Sequence, residues 1–153
     1  MVEIKECTME HIDHVKDNLR RSDREELYAT SGKEPEKAVI ESFFMSRKTW
    51  SMLLNGVPAV VLGVADFPEV SGVGVPWMVA TDDIQKSAVK MAVLRCSKKF
   101  VEDLLSMYPH LINFVDSRNK VSIQWLKWCG FTVHKAQPYG AFNLPFHRFD
   151  MGA

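Results

Sequence analysis

Two kinds of segment are missing from the sequence: no run of eighteen apolar residues occurs, and the N-terminus MVEIKECT has no basic stretch followed by an apolar one. A membrane-spanning helix and a secretory signal peptide are therefore both disfavoured, and we expect a cytoplasmic protein. An excess of either charge is missing too, because nineteen Lys and Arg residues balance nineteen Asp and Glu residues. No overall field would draw the protein to nucleic acid or to an anionic membrane.

Cysteine is scarce as well. Cys7, Cys96 and Cys129 are odd in number, widely spaced and without a CxxC pair, which argues against a disulfide framework and against a structural zinc site. The five histidines show no metal-ligand spacing. His134 follows Cys129 by five residues, but no third group orients it, so a thiol nucleophile is disfavoured. We therefore expect no metal.

Length and composition favour one ordinary domain. The 153 residues, 46% of them hydrophobic, match a single globular domain spanning 1–153. Between Ile84 and Trp128 we count eight basic and three acidic residues, an imbalance that favours this region for an anionic ligand. Solvated helix faces are the alternative explanation.

The first part of the chain predicts a strand followed by helices. An alternating strand ends at Thr8, which caps a first helix. Ser22 and Glu25 have the spacing of a capping box for a second helix that ends before Gly32. Pro35 suits the first turn of a third helix.

Strands dominate the next part. The β-rich runs Thr49–Leu54 and Val57–Val64 flank Asn55-Gly56, a strong hairpin signal because both residues tolerate positive φ. A fourth strand is predicted at Val73–Ala80, with an irregularity at Pro76.

The rest of the chain predicts a long helix, a strand–helix unit and a terminal hairpin. Thr81, Asp82 or Asp83 would cap the long helix, which begins near Asp83 and ends before Pro109. The later elements are a strand at 111–115, a helix at 119–129 ended by a glycine, a strand at 131–134, a turn around 138–140 and a last strand at 142–151.

The stretch NKVSIQWLKWCGF carries the most specific pattern. Asn119, Ser122, Trp125, Gly130 and Phe131 fall at the offsets of the NxxA/S…(F/L)Y…GF signature, and here the chain resembles the GNAT family of N-acetyltransferases. On pattern alone, the stretch is one strand–turn–helix unit of a mixed domain.

The resemblance covers nearly the whole chain and implies an α/β (α+β) fold. In that fold a mixed, mostly antiparallel sheet of about seven strands has helices on both faces and splays between its fourth and fifth strands, where acetyl-CoA fits. The element order and the W/FLK…G motif look most like the small GNAT-like proteins that short-tailed (podovirus) phages encode among their internal virion protein genes. Leu126 stands where the family has its catalytic Tyr, and an aliphatic side chain cannot transfer a proton.

By the same resemblance, the start of the long helix would hold the pyrophosphate of acetyl-CoA. The family's turn reads Q/RxxGxG/A, whereas this chain has no glycine there, and its corresponding residues are Gln85, Lys86, Ser87, Ala88 and Lys90. Either the side chains of Lys86, Ser87 and Lys90 replace the backbone contacts, or the turn no longer binds CoA. The carboxylates at 82 and 83 favour the second outcome, because they would repel phosphate.

The resemblance also implies contacts to the pantetheine arm. Backbone groups of Met78, Val79 and Ala80 on the fourth strand would pair with it, and a nearby amide would polarise the thioester carbonyl. Asn119 and Ser122 would contact the arm from the other side. Their alternative roles need no ligand, since Asn119 is a good N-cap and Ser122 a first-turn helix residue.

Two residues are candidates for proton transfer. Glu69, in the loop before the fourth strand, would be the general base, and Tyr139, in the last predicted turn, would supply the missing phenol. Both are alternatively surface loop residues.

Two functions follow. The first is transfer of an acetyl group from acetyl-CoA to a primary amine, including an amine on a protein. The alternative is an inactive GNAT-fold phage protein that acts by protein–protein interaction, in virion assembly or in binding a host factor. A gap plugged by Trp77, Trp125 or Lys90 would favour the alternative, and free backbone groups on the fourth strand would favour the enzyme. Exposed aromatics such as Phe142 or Phe146 would mark a partner or homodimer surface.

Overall fold

The computed structural model of the chain describes residues 1–152. In chain order its elements are β1 (Val2–Glu6), α1 (Met9–Asp17), α2 (Arg21–Ser31), α3 (Pro35–Met45), β2 (Ser46–Leu54), β3 (Val57–Asp66), β4 (Val73–Ala80), a 3-10 turn (Asp82–Gln85), α4 (Ser87–Met107), β5 (His110–Asp116), α5 (Lys120–Cys129), β6 (Thr132–Tyr139) and β7 (Leu144–Gly152). The strands form one sheet in the order β1-β2-β3-β4-β5-β7-β6. Only β4 and β5 are parallel neighbours. The predicted mixed, mostly antiparallel sheet is confirmed.

Helices cover both faces of the sheet. Along β3, Val61 packs with Ile12 of α1 on one face, whereas Val60 and Leu62 pack with Val89 of α4 on the other. This alternation follows from the two-residue period of a strand. The second face continues into a cluster that joins α4 and α5 to β5 and β7.

The feature that matters most for function is the separation of β4 from β5. The two strands pair only at Val73–His110 and Gly74–Leu111. Pro76 lies two residues after Gly74, on the same side of β4, and having no N–H it cannot extend the ladder. β4 pairs with β3 through Pro76 without a register shift, so the irregularity predicted within this strand is not present. The separation from β5 is the one that the resemblance implied.

Short-range signals predicted several boundaries correctly. Asn55 and Gly56 adopt φ values of +50° and +82° and join β2 to β3, as a tight hairpin requires. Asn119 caps α5 by accepting from the Ser122 amide, and Gly130 ends α5 with left-handed φ.

Two helix starts differ from prediction. The residue before α2 is Arg20, with no side-chain cap, so the Ser22–Glu25 capping box is wrong. Thr81 caps the short 3-10 turn, Lys86 then returns to extended backbone, and α4 begins only at Ser87. The long helix thus starts four residues later than expected.

The terminal hairpin also differs. The turn lies at 140–143, so the prediction of 138–140 is right for Gly140 and wrong for Pro138 and Tyr139, which continue β6 and pair with Pro145 and Leu144. Proline is tolerated there since β6 is an edge strand. Of the two aromatics proposed as surface markers, Phe146 is fully buried, and Phe142 is half exposed and packs on Tyr28 at 5.0 Å between ring centroids.

Within residues 1–152, no helix is long and apolar enough to cross a membrane. The three cysteines are free thiols, two of them buried.

Candidate functional site

A cavity of about 200 Å³ occupies the gap between β4 and β5. It passes between the two faces of the sheet, because α2 lines one side and α4 with α5 lines the other. Most of the lining is apolar; the polar lining residues are Asp23, Glu26, Thr30, Ser42, Asn113, Asn119 and Ser122. A mostly apolar cavity with a few convergent polar groups is the usual form of a small-molecule site.

The β4 edge of the gap has one free backbone position. Alternate residues of a strand direct their N–H and C=O to the same side, and on β4 the gap side belongs to Pro76, Met78 and Ala80. The Pro76 carbonyl accepts from Asn113 Nδ2 at 2.7 Å. The Ala80 N–H donates to Asp23 Oδ2 at 2.8 Å, and the Ala80 carbonyl accepts from the Arg20 N–H at 2.9 Å. Of these three residues, Met78 alone has no hydrogen-bond partner for its N–H and C=O among residues 1–152.

This geometry separates the three residues expected to meet the pantetheine arm. Met78 lines the cavity and offers both backbone groups. Val79 directs its backbone to Val61 of β3 instead. Ala80 is on the correct side, but its two backbone groups are already used.

Those groups are used by the segment that joins α1 to α2. Leu19 forms an isolated bridge with Thr81, which brings Arg20 and Asp23 against the end of β4. Arg20 Nε donates to Asp23 Oδ2 at 2.8 Å, and both residues are buried. We call these two residues the Arg20–Asp23 pair; it closes the β4 edge at Ala80.

Glu26 was not predicted from the sequence. It lies one turn after Asp23 on α2, lines the cavity, and its Oε1 accepts from the Asp116 N–H at 2.9 Å. Burial raises the pKa of Glu26 to about 7; the hydrogen bond from Asp116 lowers it, the Asp23 charge raises it further, and Asn119 lowers it. The only sequence signal was the i, i+3 spacing of two carboxylates on α2, which also fits a solvated helix face.

The two residues expected to transfer protons lie elsewhere. Glu69 is an exposed loop residue with φ of +63°, and it does not line the cavity. Tyr139 stacks on Phe114, with 3.8 Å between ring centroids. Phe114 lines the cavity and Tyr139 does not, so the phenol lies behind that wall. Leu126, in place of the family's Tyr, is buried in the cavity lining.

The tryptophans form walls of the cavity. Trp125 Nε1 donates to Ser97 Oγ at 2.9 Å, and Trp77 Nε1 donates to Ser46 Oγ at 2.7 Å. Lys90 does not line the cavity. The gap is therefore not filled by any of the three residues proposed to plug it, and the Arg20–Asp23 pair closes part of it instead.

The start of α4 lies outside the cavity. Its first-turn amides, at 87–89, have no partner within the helix, and Lys90 makes the first helical hydrogen bond, to the Lys86 carbonyl. Gln85 belongs to the 3-10 turn. The Lys86 ammonium is 3.3 Å from the Asp83 carboxylate, so that charge is already paired. Ser87 and Ala88 line a surface groove between β1 and α4.

Asn119 and Ser122 both line the cavity, as expected, and also make the helix cap expected without a ligand. Among residues 1–152, no group of three or more His, Cys, Asp or Glu side chains could hold a metal ion.

Solved structures share this architecture. An N-acetyltransferase from Staphylococcus aureus Mu50 matches with a TM-score of 0.72 and 12% identity, over 99% of this chain and 98% of its own. An acetyltransferase of the GNAT family from Streptococcus pneumoniae matches with a TM-score of 0.63 and 12% identity, over 99% of both chains. The fold is that of the GNAT acetyltransferases. The protein yncA of Salmonella typhimurium, a candidate acetyltransferase solved with its cofactor acetyl-CoA, matches with a TM-score of 0.73 and 10% identity, over 99% of this chain and 94% of its own.

No protein-family model and no curated protein sequence matches the chain. At 10 to 12% identity, the likeness to these three structures establishes the fold.

The raised pKa of Glu26 makes the stability of the protein depend on pH. Between its ordinary value of 4.5 and the folded value of about 7, the folded state binds more protons than the unfolded state, so the free energy of unfolding falls as pH rises through this range. Glu26→Gln removes this titration. We expect the variant to gain stability relative to wild type from pH 5 to pH 7, by at most about 3 kcal/mol, with no further change above pH 8.

Urea denaturation at pH 5, 6, 7 and 8 measures this difference. Glu25→Gln makes the same chemical change one residue earlier, at a side chain that does not line the cavity, and serves as the control. An offset for Glu26→Gln that does not change with pH would contradict the assignment.

Proposed function

We propose that the protein is an N-acetyltransferase that transfers an acetyl group from acetyl-CoA to a primary amine. The observation that carries this proposal is the free Met78 backbone in a cavity between β4 and β5. In the GNAT fold this gap receives acetyl-CoA, and an unpaired strand edge is suited to the amide groups of a pantetheine arm.

The residues present fit most of the cofactor. The Met78 N–H and C=O would hold the arm, with Asn119 and Ser122 opposite. The free amides at the start of α4 would hold the phosphates together with Lys90, and with Lys86 once it leaves Asp83. Acetyl-CoA supplies an acyl group activated as a thioester. The Met78 N–H, aimed into the gap, is the donor available to the developing oxyanion.

We extend the proposal to the acceptor amine and to a phage origin of the chain. An amine on a protein is one acceptor that this cavity would accommodate as a side chain. The likeness to phage-encoded GNAT proteins rests on the stretch Trp125 to Gly130, which includes Leu126. We therefore propose that the partner lies in the host cytoplasm or in the virion.

A second candidate is a GNAT-fold protein that binds a partner without catalysis. The observation that favours it is the use of both Ala80 backbone groups by the Arg20–Asp23 pair. An arm that followed β4 past Met78 would have to displace those hydrogen bonds. The missing glycines at 85–90 favour the same candidate.

Met78→Pro tests the enzyme proposal at its key atom. Proline removes the gap-facing N–H without removing a hydrogen bond to β3, because the Met78 backbone faces away from β3. Met78→Leu changes the side chain and keeps the N–H. In calorimetric titration we expect wild type and Met78→Leu to bind acetyl-CoA with micromolar affinity. Met78→Pro should bind at least about tenfold more weakly, because it loses at least one hydrogen bond between uncharged groups. Wild-type protein that does not bind millimolar acetyl-CoA would refute the enzyme proposal and leave the binding protein.

Asp23→Ala tests the enzyme against the binding protein at Ala80, where the Arg20–Asp23 pair closes the β4 edge. It releases the Ala80 N–H, whereas Asp23→Asn keeps an acceptor for it. If the arm uses this edge, Asp23→Ala should bind acetyl-CoA several-fold more tightly than wild type while its Tm falls, because Arg20 loses its buried partner. Asp23→Asn should keep wild-type affinity. Equal affinity of both variants would show that the Arg20–Asp23 pair does not compete with the cofactor.

A further inference from the structure

The α2 side of the cavity is acidic and carries no cation. Asp23 and Glu26 are its two carboxylates, and no Lys, Arg or His of residues 1–152 lines the cavity. Because Asp23 is paired with Arg20, the negative charge available to a cationic ligand at that side is that of Glu26. A primary amine, which is an ammonium ion near neutral pH, is such a ligand.

The two carboxylates differ in the charge and the hydrogen-bonding capacity that remain available to a ligand. Asp23 Oδ2 accepts from both Arg20 and Ala80, so its charge is balanced inside the protein. Glu26 has no paired cation, and Oε1 alone accepts a backbone hydrogen bond. A carboxylate can accept about four hydrogen bonds, so Glu26 keeps capacity for a further donor.

The charged groups around Glu26 come from three elements. Asp23 lies on its own helix, Asp116 ends β5, and Arg118 lies in the turn before α5. Arg118 donates to both carboxylate oxygens of Asp116, from Nε to Oδ1 and from Nη2 to Oδ2, so its charge is largely compensated. Glu26 is therefore a half-buried carboxylate without a paired cation, and its pKa of about 7 leaves both its protonated and its ionised form populated near neutral pH, ready to exchange one proton.

We infer that Glu26 is the catalytic base that receives the proton of the acceptor ammonium, and that the acceptor is an unbranched alkylamine, such as a lysine side chain, entering from the α2 side. This inference rests on the proposed function. The cavity is small and mostly apolar, so it suits a methylene chain with one terminal nitrogen better than a polar, branched amine.

The step balances as follows. The ammonium gives one proton to the Glu26 carboxylate, and the neutral amine then attacks the thioester carbonyl carbon. The N–C bond forms, the C–S bond breaks, and sulfur leaves with the bonding electron pair. The nitrogen loses its second proton to that thiolate, directly or through water, and Glu26 returns its proton to solvent. This sequence of steps needs no phenol in the cavity as a proton donor. That agrees with Leu126 in place of the family's Tyr and with Tyr139 lying outside the cavity lining.

The first test measures amine binding without acetyl-CoA. Glu26 is followed by the ¹³C resonance of its carboxyl group in wild type, while n-butylamine is added, with n-butanol as the uncharged control. We expect an apparent pKa near 7 that falls when butylamine binds and does not respond to butanol. Butylamine binding that is equal in wild type and Glu26→Gln would overturn the inference.

The second test measures transfer. Glu26→Gln keeps the acceptor for the Asp116 N–H, so it should fold; we expect its kcat with butylamine to fall by about 10²-fold or more, its KM for acetyl-CoA to stay the same, and the rise in rate near pH 7 to disappear. Glu25→Gln should behave as wild type. A Glu26→Gln variant with the wild-type rate and pH profile would overturn the inference alone, whereas the absence of acetyl-CoA binding in wild type would overturn the proposed function and this step with it.

Discussion

The separation of β4 from β5 beyond Gly74 is the constraint on which the rest of the structure depends. Two strands that part inside a protein leave backbone N–H and C=O groups that still need partners. Side chains provide most of them here: the Asn113 amide bridges the two strands, Asp23 takes the end of β4, and Glu26 takes the end of β5. Along β4, these contacts leave open the position at Met78.

Asp23 and Glu26 are carboxylates that accept hydrogen bonds from backbone N–H groups at the ends of β4 and β5, and their charge has an electrostatic consequence. A buried carboxylate is expensive unless a cation or several donors compensate it. Asp23 is compensated by Arg20. Arg118, whose charge is felt at Glu26, is bound to Asp116, and burial without a paired cation raises the pKa of Glu26 to about 7. The same shortage of partners that makes Glu26 costly for stability makes it suitable for exchanging protons.

Local signals were enough to predict much of the fold. Asn55-Gly56 and the caps Asn119 and Gly130 act through backbone conformations within a few residues, and all three were predicted correctly. Tyr139 was placed in a turn, because nothing local indicates that β6 continues beside β7. The start of α4 was misplaced because three adjacent residues could each cap a helix, and the first of them caps a 3-10 turn.

The site was less predictable for a related reason. Met78 could be named from the resemblance, but its distinction from Ala80 depends on Arg20 and Asp23, which are more than fifty residues away in sequence. Glu26 is one of many acidic residues near the N-terminus, and only the position of α2 across the gap gives it a role. Contacts of this kind depend on tertiary packing and leave no periodic pattern in the sequence.

The central claim is that a ligand reaches the Met78 backbone inside the gap, and the Met78 amide can report on it directly. The chain has eight methionines, so ¹⁵N-methionine labelling gives few amide signals, and loss of one signal in Met78→Leu identifies Met78. On addition of acetyl-CoA, the account predicts a large shift of the Met78 amide resonance, with little change at Met52, which is buried in β2. An unchanged Met78 signal, with shifts confined to Met91 in the groove between β1 and α4, would contradict it.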